Sequence, residues 1–144
     1  MRVFTIGFTK KSAEDFFSAL CGSGVKRIVD VRLNNLSQLS GFAKKNDLKY
    51  FLRKICEMDY VHMPCLAPTQ QMLDGYKRKE YDWSAYEHQF LDLIRAREIE
   101  KAVTRESLMD GCLLCSEDKP QHCHRRLVAE YLRDKWGDME ITHL

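Results

Sequence analysis

Short apolar runs alternate along the chain with longer segments in which apolar residues recur every three or four positions. Runs rich in β-branched and aromatic residues predict five strands, at residues 2–6, 25–31, 60–63, 112–115 and 139–142. Helical periodicity predicts about five helices, over residues 13–21 and 47–57, from Thr69 toward Tyr76, from Trp83 toward Thr104, and over residues 127–136. A long polar loop is predicted over residues 32–45.

Strands that alternate with helices favour right-handed crossovers and parallel strand pairing. The expected fold class is therefore α/β: a three-layer sandwich with a mostly parallel five-stranded sheet, Rossmann-like, forming a single domain over residues 1–144. The apolar run at residues 25–31 requires cover on both faces, which places this strand inside the sheet. We expect strand one at the centre, with strands two and four beside it.

Composition narrows the class of protein without defining its function. Of 144 residues, 44% are hydrophobic and 31% are charged, as is typical of globular domains. A net charge of +2 is too small to predict nucleic-acid binding by itself. The first residues do not resemble a signal peptide, and no apolar run has the length of a membrane span, so we expect a cytoplasmic protein with no membrane partner. In that compartment the six cysteines are expected to be free, buried thiols.

Polar and reactive residues follow four of the predicted strands. Parallel strands bring their carboxyl ends to one edge of the sheet, where ligands of such folds bind. A functional pocket is therefore predicted at this edge, from residues that follow the strands or open the last long helix: Thr9, Asp30, Arg32, His62, Cys115, Glu117, Cys123, His124 and Arg125.

Several of these motifs together resemble a known family. Thr5-Ile6-Gly7, Asp30-Val31-Arg32, and Leu114-Cys115-Ser116-Glu117 leading to Cys123-His124-Arg125 are similar to the signature of the domain-of-unknown-function family 488. The resemblance extends from Val3 to the last strand. It implies the α/β fold and the pocket, and it leaves the reaction open. Many members carry a histidine where this chain has Phe8.

The thiols are the first candidates for chemistry. Cys115 and Glu117 lie two apart, so on an extended chain they point to the same side. Cys123 opens a helix beside His124 and Arg125, a setting that stabilises a thiolate. Cys123, or with less support Cys115, is thus predicted to be a low-pKa nucleophile or redox thiol. The alternative is that both are small buried hydrophobic residues.

The charged residues allow two interpretations. Asp30, Arg32, Glu117 and Arg125 balance in charge and could form a buried ion-pair network. Alternatively, the carboxylates act as acid or base and the arginines bind an anion. On the second interpretation, the catalytic residues are Asp30, Cys115, Glu117, Cys123 and His124. The residues that bind the substrate or an anion are then Thr9, Arg32, His62 and Arg125.

A structural zinc site is not expected. Cys112 and Cys115 lie three apart on a strand and face opposite sides, so both cannot reach one ion. A site made of Cys115, Cys123 and either His62 or His124 is geometrically feasible. No cofactor is assigned, and the oligomeric state is left open.

The predicted function is an enzyme that acts on a small anionic or nucleotide-like substrate, and the candidate thiols indicate thiol-dependent chemistry. One alternative is a non-catalytic module that binds a nucleotide or nucleic acid through basic residues near the pocket, namely Lys10, Lys11, Lys44, Lys45, Lys119, Arg125 and Arg126. Another is a rhodanese-like sulfurtransferase or phosphatase, although the tight glycine-containing loop of such enzymes is missing. Trp83, Tyr86 and Phe90 have helical spacing and are predicted to be core residues.

Overall fold

The structure of the protein, a computed structural model, describes residues 1–36 and 40–144. Three residues of the polar loop predicted over residues 32–45, residues 37–39, lie outside this description. Five strands form one sheet in which every neighbouring pair is parallel. They are β1 (Arg2–Gly7), β2 (Arg27–Asp30), β3 (Asp59–His62), β4 (Gly111–Cys115) and β5 (Glu140–His143).

The strand order is β3-β2-β4-β1-β5. The second strand lies between two neighbours, as its apolar sequence predicted. The prediction that strand one is central, with strands two and four beside it, is wrong, because β4 occupies the centre and separates β1 from β2. All five residues of β4 are buried, which suits the central position. The order also differs from the 3-2-1-4-5 order of a Rossmann fold.

Five helices of at least eight residues and two short ones connect the strands in the described chain. They are α1 (Ala13–Cys21), α2 (Lys45–Cys56), α3 (Gln70–Lys77), α4 (Trp83–Ala96), α5 (Ile99–Ala102), α6 (Arg105–Leu108) and α7 (His124–Trp136). The long helix predicted from Trp83 ends at Ala96, because Glu98 adopts a left-handed conformation with φ of 48°. Helix α7 begins at His124 with Cys123 as its N-cap, as expected for the start of this helix, and thus three residues before the apolar periodicity that begins at Leu127.

Each face of the sheet packs against its own hydrophobic core. One core combines Phe4, Ile28, Cys112 and Leu114 with α1 and α2, and the other combines Val29, Leu113 and Cys115 with α4 and α7. The result is the predicted three-layer α/β sandwich. Cys112 and Cys115 project into opposite cores, as their spacing on a strand predicted.

Two of the six cysteines are joined. Cys21 at the end of α1 and Cys56 at the end of α2 form a disulfide, with their Cα atoms 5.0 Å apart. The prediction that these two are free thiols is therefore wrong. The two helix ends meet only after folding, and a separation of 35 residues gives no sign of this in the sequence. Cys65, Cys112, Cys115 and Cys123 are free.

Candidate functional site

A cavity of about 300 Å³ opens beyond the carboxyl ends of β2 and β4. Its polar part is formed by Cys115 at the end of β4, by Glu117 two residues later, and by Cys123 and His124 at the start of α7. Arg32, after β2, lies at one side. Five of the nine site residues predicted from the sequence thus border one cavity. The other four, Thr9, Asp30, His62 and Arg125, do not line it.

Two thiols and one imidazole converge at the base of this cavity. Cys115 Sγ, Cys123 Sγ and His124 Nδ1 all lie within 4.8 Å of one another, and all three side chains are buried. Cys115 Sγ and His124 Nδ1 are 3.5 Å apart. We call Cys115, Cys123 and His124 the thiol–imidazole cluster.

The orientation of His124 is fixed from behind. Its Nε2 lies 2.8 Å from the main-chain carbonyl oxygen of Val31. A carbonyl oxygen only accepts hydrogen bonds, so Nε2 carries the hydrogen and the lone pair of Nδ1 in the neutral ring is directed at the thiols. Phe90 packs edge-on against the ring, with centroids 5.4 Å apart. His124 can therefore accept a proton from a thiol or bind a metal ion through Nδ1.

The two thiols differ in acidity. A hydrogen bond from the Cys123 thiol lowers the pKa of Cys115 despite the burial of this side chain. The main-chain N–H groups of Glu117 and Ser116 and the positive charge of Arg125 lower the same pKa further. Burial is the main cause that raises the pKa of Cys123, and the hydrogen bond to Cys115 and the negative charge of Cys115 raise it further. The prediction that Cys123 has the lowered pKa is therefore wrong. Its helix N-terminal position was visible in the sequence, but its burial and its role as a donor were not.

Asp30 and Arg32 form a buried ion pair. Arg32 Nε and Nη2 lie 2.9 and 2.8 Å from the two carboxylate oxygens of Asp30, which is fully buried. The hydroxyl of Tyr60 donates to the same carboxylate at 2.6 Å. Arg32 also donates to the carbonyl of Ala43 at 2.8 Å and lies over the ring of Phe8. This pair matches the ion-pair interpretation and ties the chain after β2 to residues 41–43.

Arg125 holds the loop that carries Cys115. Its guanidinium is fully buried and donates to the carbonyl oxygens of Glu117 and Asp118 and to Oγ1 of Thr5. Among the described residues no carboxylate lies within ion-pair distance of it. Arg125 is thus outside the Asp30–Arg32 pair, and the four charged residues do not form a single network.

Two further contacts fix the same loop. The N–H and hydroxyl of Thr9 both donate to the carbonyl of Ser116, at 3.0 and 2.5 Å. A Cβ atom on Gly7 would lie 1.6 Å from the carbonyl oxygen of Glu117, so only glycine allows this close approach. The Thr5-Ile6-Gly7 motif therefore acts on the position of residues 115–118. The side chain of Glu117 is exposed.

His62 has a similar supporting place at the end of β3. Its Nε2 lies 2.7 Å from the carbonyl oxygen of Arg32, the residue after the one whose carbonyl binds His124. Two histidines thus hold two consecutive carbonyls of the chain that leaves β2.

An aromatic wall forms the other side of the cavity, and the sequence analysis missed it. Tyr76, Trp83, Tyr86 and His122 line the cavity. The Trp83 ring stacks on His122 and on Tyr86, both with centroids 5.1 Å apart. Tyr86 and Phe90 are buried, but Trp83 is only half-buried. The helical spacing of Trp83, Tyr86 and Phe90 correctly predicted that these rings share one face of α4. In the sequence, the sign that this face reaches the cavity is His122, which directly precedes Cys123.

The basic residues near the cavity are partly neutralised. Lys11 pairs with Asp118 at 2.8 Å, and Arg126 pairs with Glu130 at 2.9 Å and with Glu87 at 3.6 Å. Lys10, Lys45 and Lys119 are exposed.

Over the part of the chain that the structure describes, no helix is both long and apolar enough to cross a membrane.

Comparison with known families assigns most of the chain to one family. The family described as Domain of unknown function DUF488 matches residues 12–132, most of the chain. The chain belongs to this family. The matched residues include the Asp30–Arg32 pair, the thiol–imidazole cluster and the aromatic wall of this DUF488 domain. Neither the curated proteins nor the solved structures include a match.

Proposed function

We propose that this DUF488 protein is a thiol-dependent enzyme that acts on a small anionic or nucleotide-like substrate bound in the cavity beyond β2 and β4. One observation carries the proposal: a free thiol and an oriented imidazole lie together at the base of a cavity that has an aromatic wall. This combination joins a nucleophile and a base to a surface that suits a planar ring.

Cys115 is the nucleophile. Its sulfur borders the cavity, and Nδ1 of His124 is placed to take its proton, which yields a thiolate beside an imidazolium. The thiol of Cys123 and the main-chain N–H groups of residues 116 and 117 stabilise the negative charge on Cys115. Glu117, exposed at the edge of the cavity, is free to approach a bound substrate.

The aromatic wall supports a substrate with a planar ring. Trp83 is only partly buried, and aromatic stacking binds any nucleobase without hydrogen-bond readout. Arg32 lines the same cavity and supplies a positive charge for an anionic group, although much of its charge is shared with Asp30. A nucleoside phosphate satisfies both features.

The experiment uses Trp83 as its own reporter. In a Trp136→Phe protein the remaining tryptophan fluorescence comes from Trp83, since the chain has two tryptophans. Adenosine, uridine and their monophosphates should quench it, and ribose 5-phosphate should not. Trp83→Ala should weaken binding of the nucleotides, followed by calorimetry, by about tenfold or more. Equal binding by ribose 5-phosphate, or equal affinity of Trp83→Ala, would contradict the ring-binding role.

Conversion of the bound compound separates the enzyme from its alternatives. Compounds that bind should be consumed by the parent protein, as followed by mass spectrometry, and not by Cys115→Ser. Binding with no consumption in either protein would indicate a binding module.

Incubation with thiosulfate tests the rhodanese-like alternative. Transfer of the outer sulfur of thiosulfate to Cys115 releases sulfite and leaves a persulfide, which adds the mass of one sulfur atom to the protein.

A further inference from the structure

The thiol–imidazole cluster has the composition and spacing of a metal site. Thiolate sulfur and imidazole nitrogen are the ligands that Zn²⁺ prefers in proteins. With usual Zn–S and Zn–N bond lengths, a tetrahedral site places a sulfur and a nitrogen ligand about 3.6 Å apart. Cys115 Sγ and His124 Nδ1 are 3.5 Å apart. The third ligand atom, Cys123 Sγ, lies within 4.8 Å of both.

The environment of His124 is that of a metal ligand. A histidine that binds a metal through one ring nitrogen usually donates its other N–H to a carbonyl or carboxylate, which fixes the ring. Nε2 of His124 makes this bond to Val31 at 2.8 Å, so Nδ1 is already directed at the two sulfurs. Little reorganisation of the imidazole is needed for an ion to bind.

We infer that Cys115, Cys123 and His124 bind one Zn²⁺ ion, with its fourth coordination position directed into the cavity. All three residues border the cavity, so a water molecule or a substrate atom can complete the tetrahedron. The two thiolates balance the charge of the ion. The inference deepens the proposed function, on whose cavity it rests, because an ion at this place occupies the proposed nucleophile and controls its reactivity.

This site differs from the structural zinc site that Cys112 and Cys115 together would form, which the sequence argued against. Cys112 is fully buried in the opposite core, with Phe4 and Leu114, and cannot reach the cluster. Cys65 is likewise a free thiol that is not part of the cluster. Substitutions of these two cysteines are therefore matched controls for the ligands.

Cobalt is a direct probe of the site. Chelator-treated protein with its Cys21–Cys56 disulfide intact should bind one equivalent of Co²⁺ under anaerobic conditions. We expect a thiolate-to-cobalt charge-transfer band and visible bands of tetrahedral intensity, both abolished by added Zn²⁺. Cys123→Ser and His124→Gln should weaken Co²⁺ binding by more than about 100-fold, beyond the usual cost of losing a supporting contact. Cys112→Ser and Cys65→Ser should bind Co²⁺ as the parent does. Co²⁺ binding by Cys123→Ser as tight as that by the parent, or the absence of any charge-transfer band in the parent, would overturn the inference.

Protection from alkylation tests the site without a ligand variant. In the parent protein, Zn²⁺ should slow alkylation of Cys115 and Cys123 at least tenfold and leave that of Cys65 unchanged. Equal rates with and without Zn²⁺ would also overturn the inference. The two proposals fail separately: a cobalt spectrum in a protein whose metal-free Cys115 does not react leaves the metal site standing, and a reactive Cys115 with no cobalt spectrum leaves the nucleophile standing.

Discussion

His124 donates its Nε2–H to the main-chain carbonyl of Val31 at 2.8 Å, and this bond directs Nδ1 toward the sulfur of Cys115, 3.5 Å away. The chain that leaves β2 thereby fixes the tautomer of an imidazole on α7 beside a thiol that ends β4. Three elements far apart in sequence thus define the geometry of one imidazole–thiol contact.

The first prediction concerns this imidazole. In metal-free protein at neutral pH, His124→Gln should lower the alkylation rate of Cys115 by at least about tenfold, because the amide cannot take the thiol proton. His62→Gln is the matched control, since His62 makes the same kind of bond to the carbonyl of Arg32 but does not border the cavity. Mass spectrometry at successive times gives both rates. Equal rates in the two variants would show that His124 is not the base.

The second prediction concerns Gly7. A methyl group there would overlap the carbonyl oxygen of Glu117, so Gly7→Ala must displace residues 115–118 or the end of β1. We expect a loss of about 3 kcal/mol or more in the free energy of unfolding, at the upper end of overpacking effects. Gly41→Ala is the control, because no atom lies within 4 Å of its added Cβ. Urea unfolding of the two variants with similar midpoints would refute the close approach.

Much of the fold follows from local pattern, because strand and helix periodicities are properties of neighbouring residues. The five strands, the interior place of β2 and the opposite directions of Cys112 and Cys115 were all predictable in this way. The central position of β4 was not, since β1 and β2 have equally apolar sequences and only the complete set of crossovers decides which strand separates them.

The clustering of the candidate site residues was predictable, but their individual contacts were not. Strand ends brought Cys115, Cys123 and His124 together as expected. Thr9 and Arg125 hold residues 115–118 by donating hydrogen bonds to main-chain carbonyl oxygens. Every residue has such a carbonyl, so the sequence does not indicate which ones these side chains bind. The relative acidity of the two thiols depends on burial and on which one donates to the other, and both are consequences of packing.

The third prediction concerns the Cys21–Cys56 disulfide, which closes a long loop between α1 and α2. Removing it with Cys21→Ser and Cys56→Ser together should lower the free energy of unfolding by about 2–4 kcal/mol, because the unfolded chain gains freedom. Reductant should lower the stability of the parent protein to that of the double variant and should not affect the variant. An unchanged parent in reductant would show that the two cysteines are not joined.

The fourth prediction concerns acid stability. Hydrogen bonds from Lys26 and Arg2 lower the pKa of Asp110 below its ordinary value of 3.8. A lowered carboxyl pKa stabilises the fold above that ordinary value, and the stabilisation disappears as the pH falls through the folded pKa. Asp110→Asn should therefore be less stable than the parent at pH 7, and the difference should shrink below about pH 4. Asp138→Asn, at an exposed position with similar backbone geometry, is the control. A difference independent of pH would contradict the role of the charge.

The central claim is that Cys115, and not Cys123, is the reactive thiol of the cavity. The direct measurement is alkylation of chelator-treated, folded protein by iodoacetamide at neutral pH, with each cysteine quantified by peptide mass spectrometry over time. The account predicts that Cys115 reacts first, that Cys123 and Cys112 follow at least tenfold more slowly, and that a nucleotide bound in the cavity protects Cys115. Faster modification of Cys123, or a Cys115 that reacts only after unfolding in urea, would contradict the account.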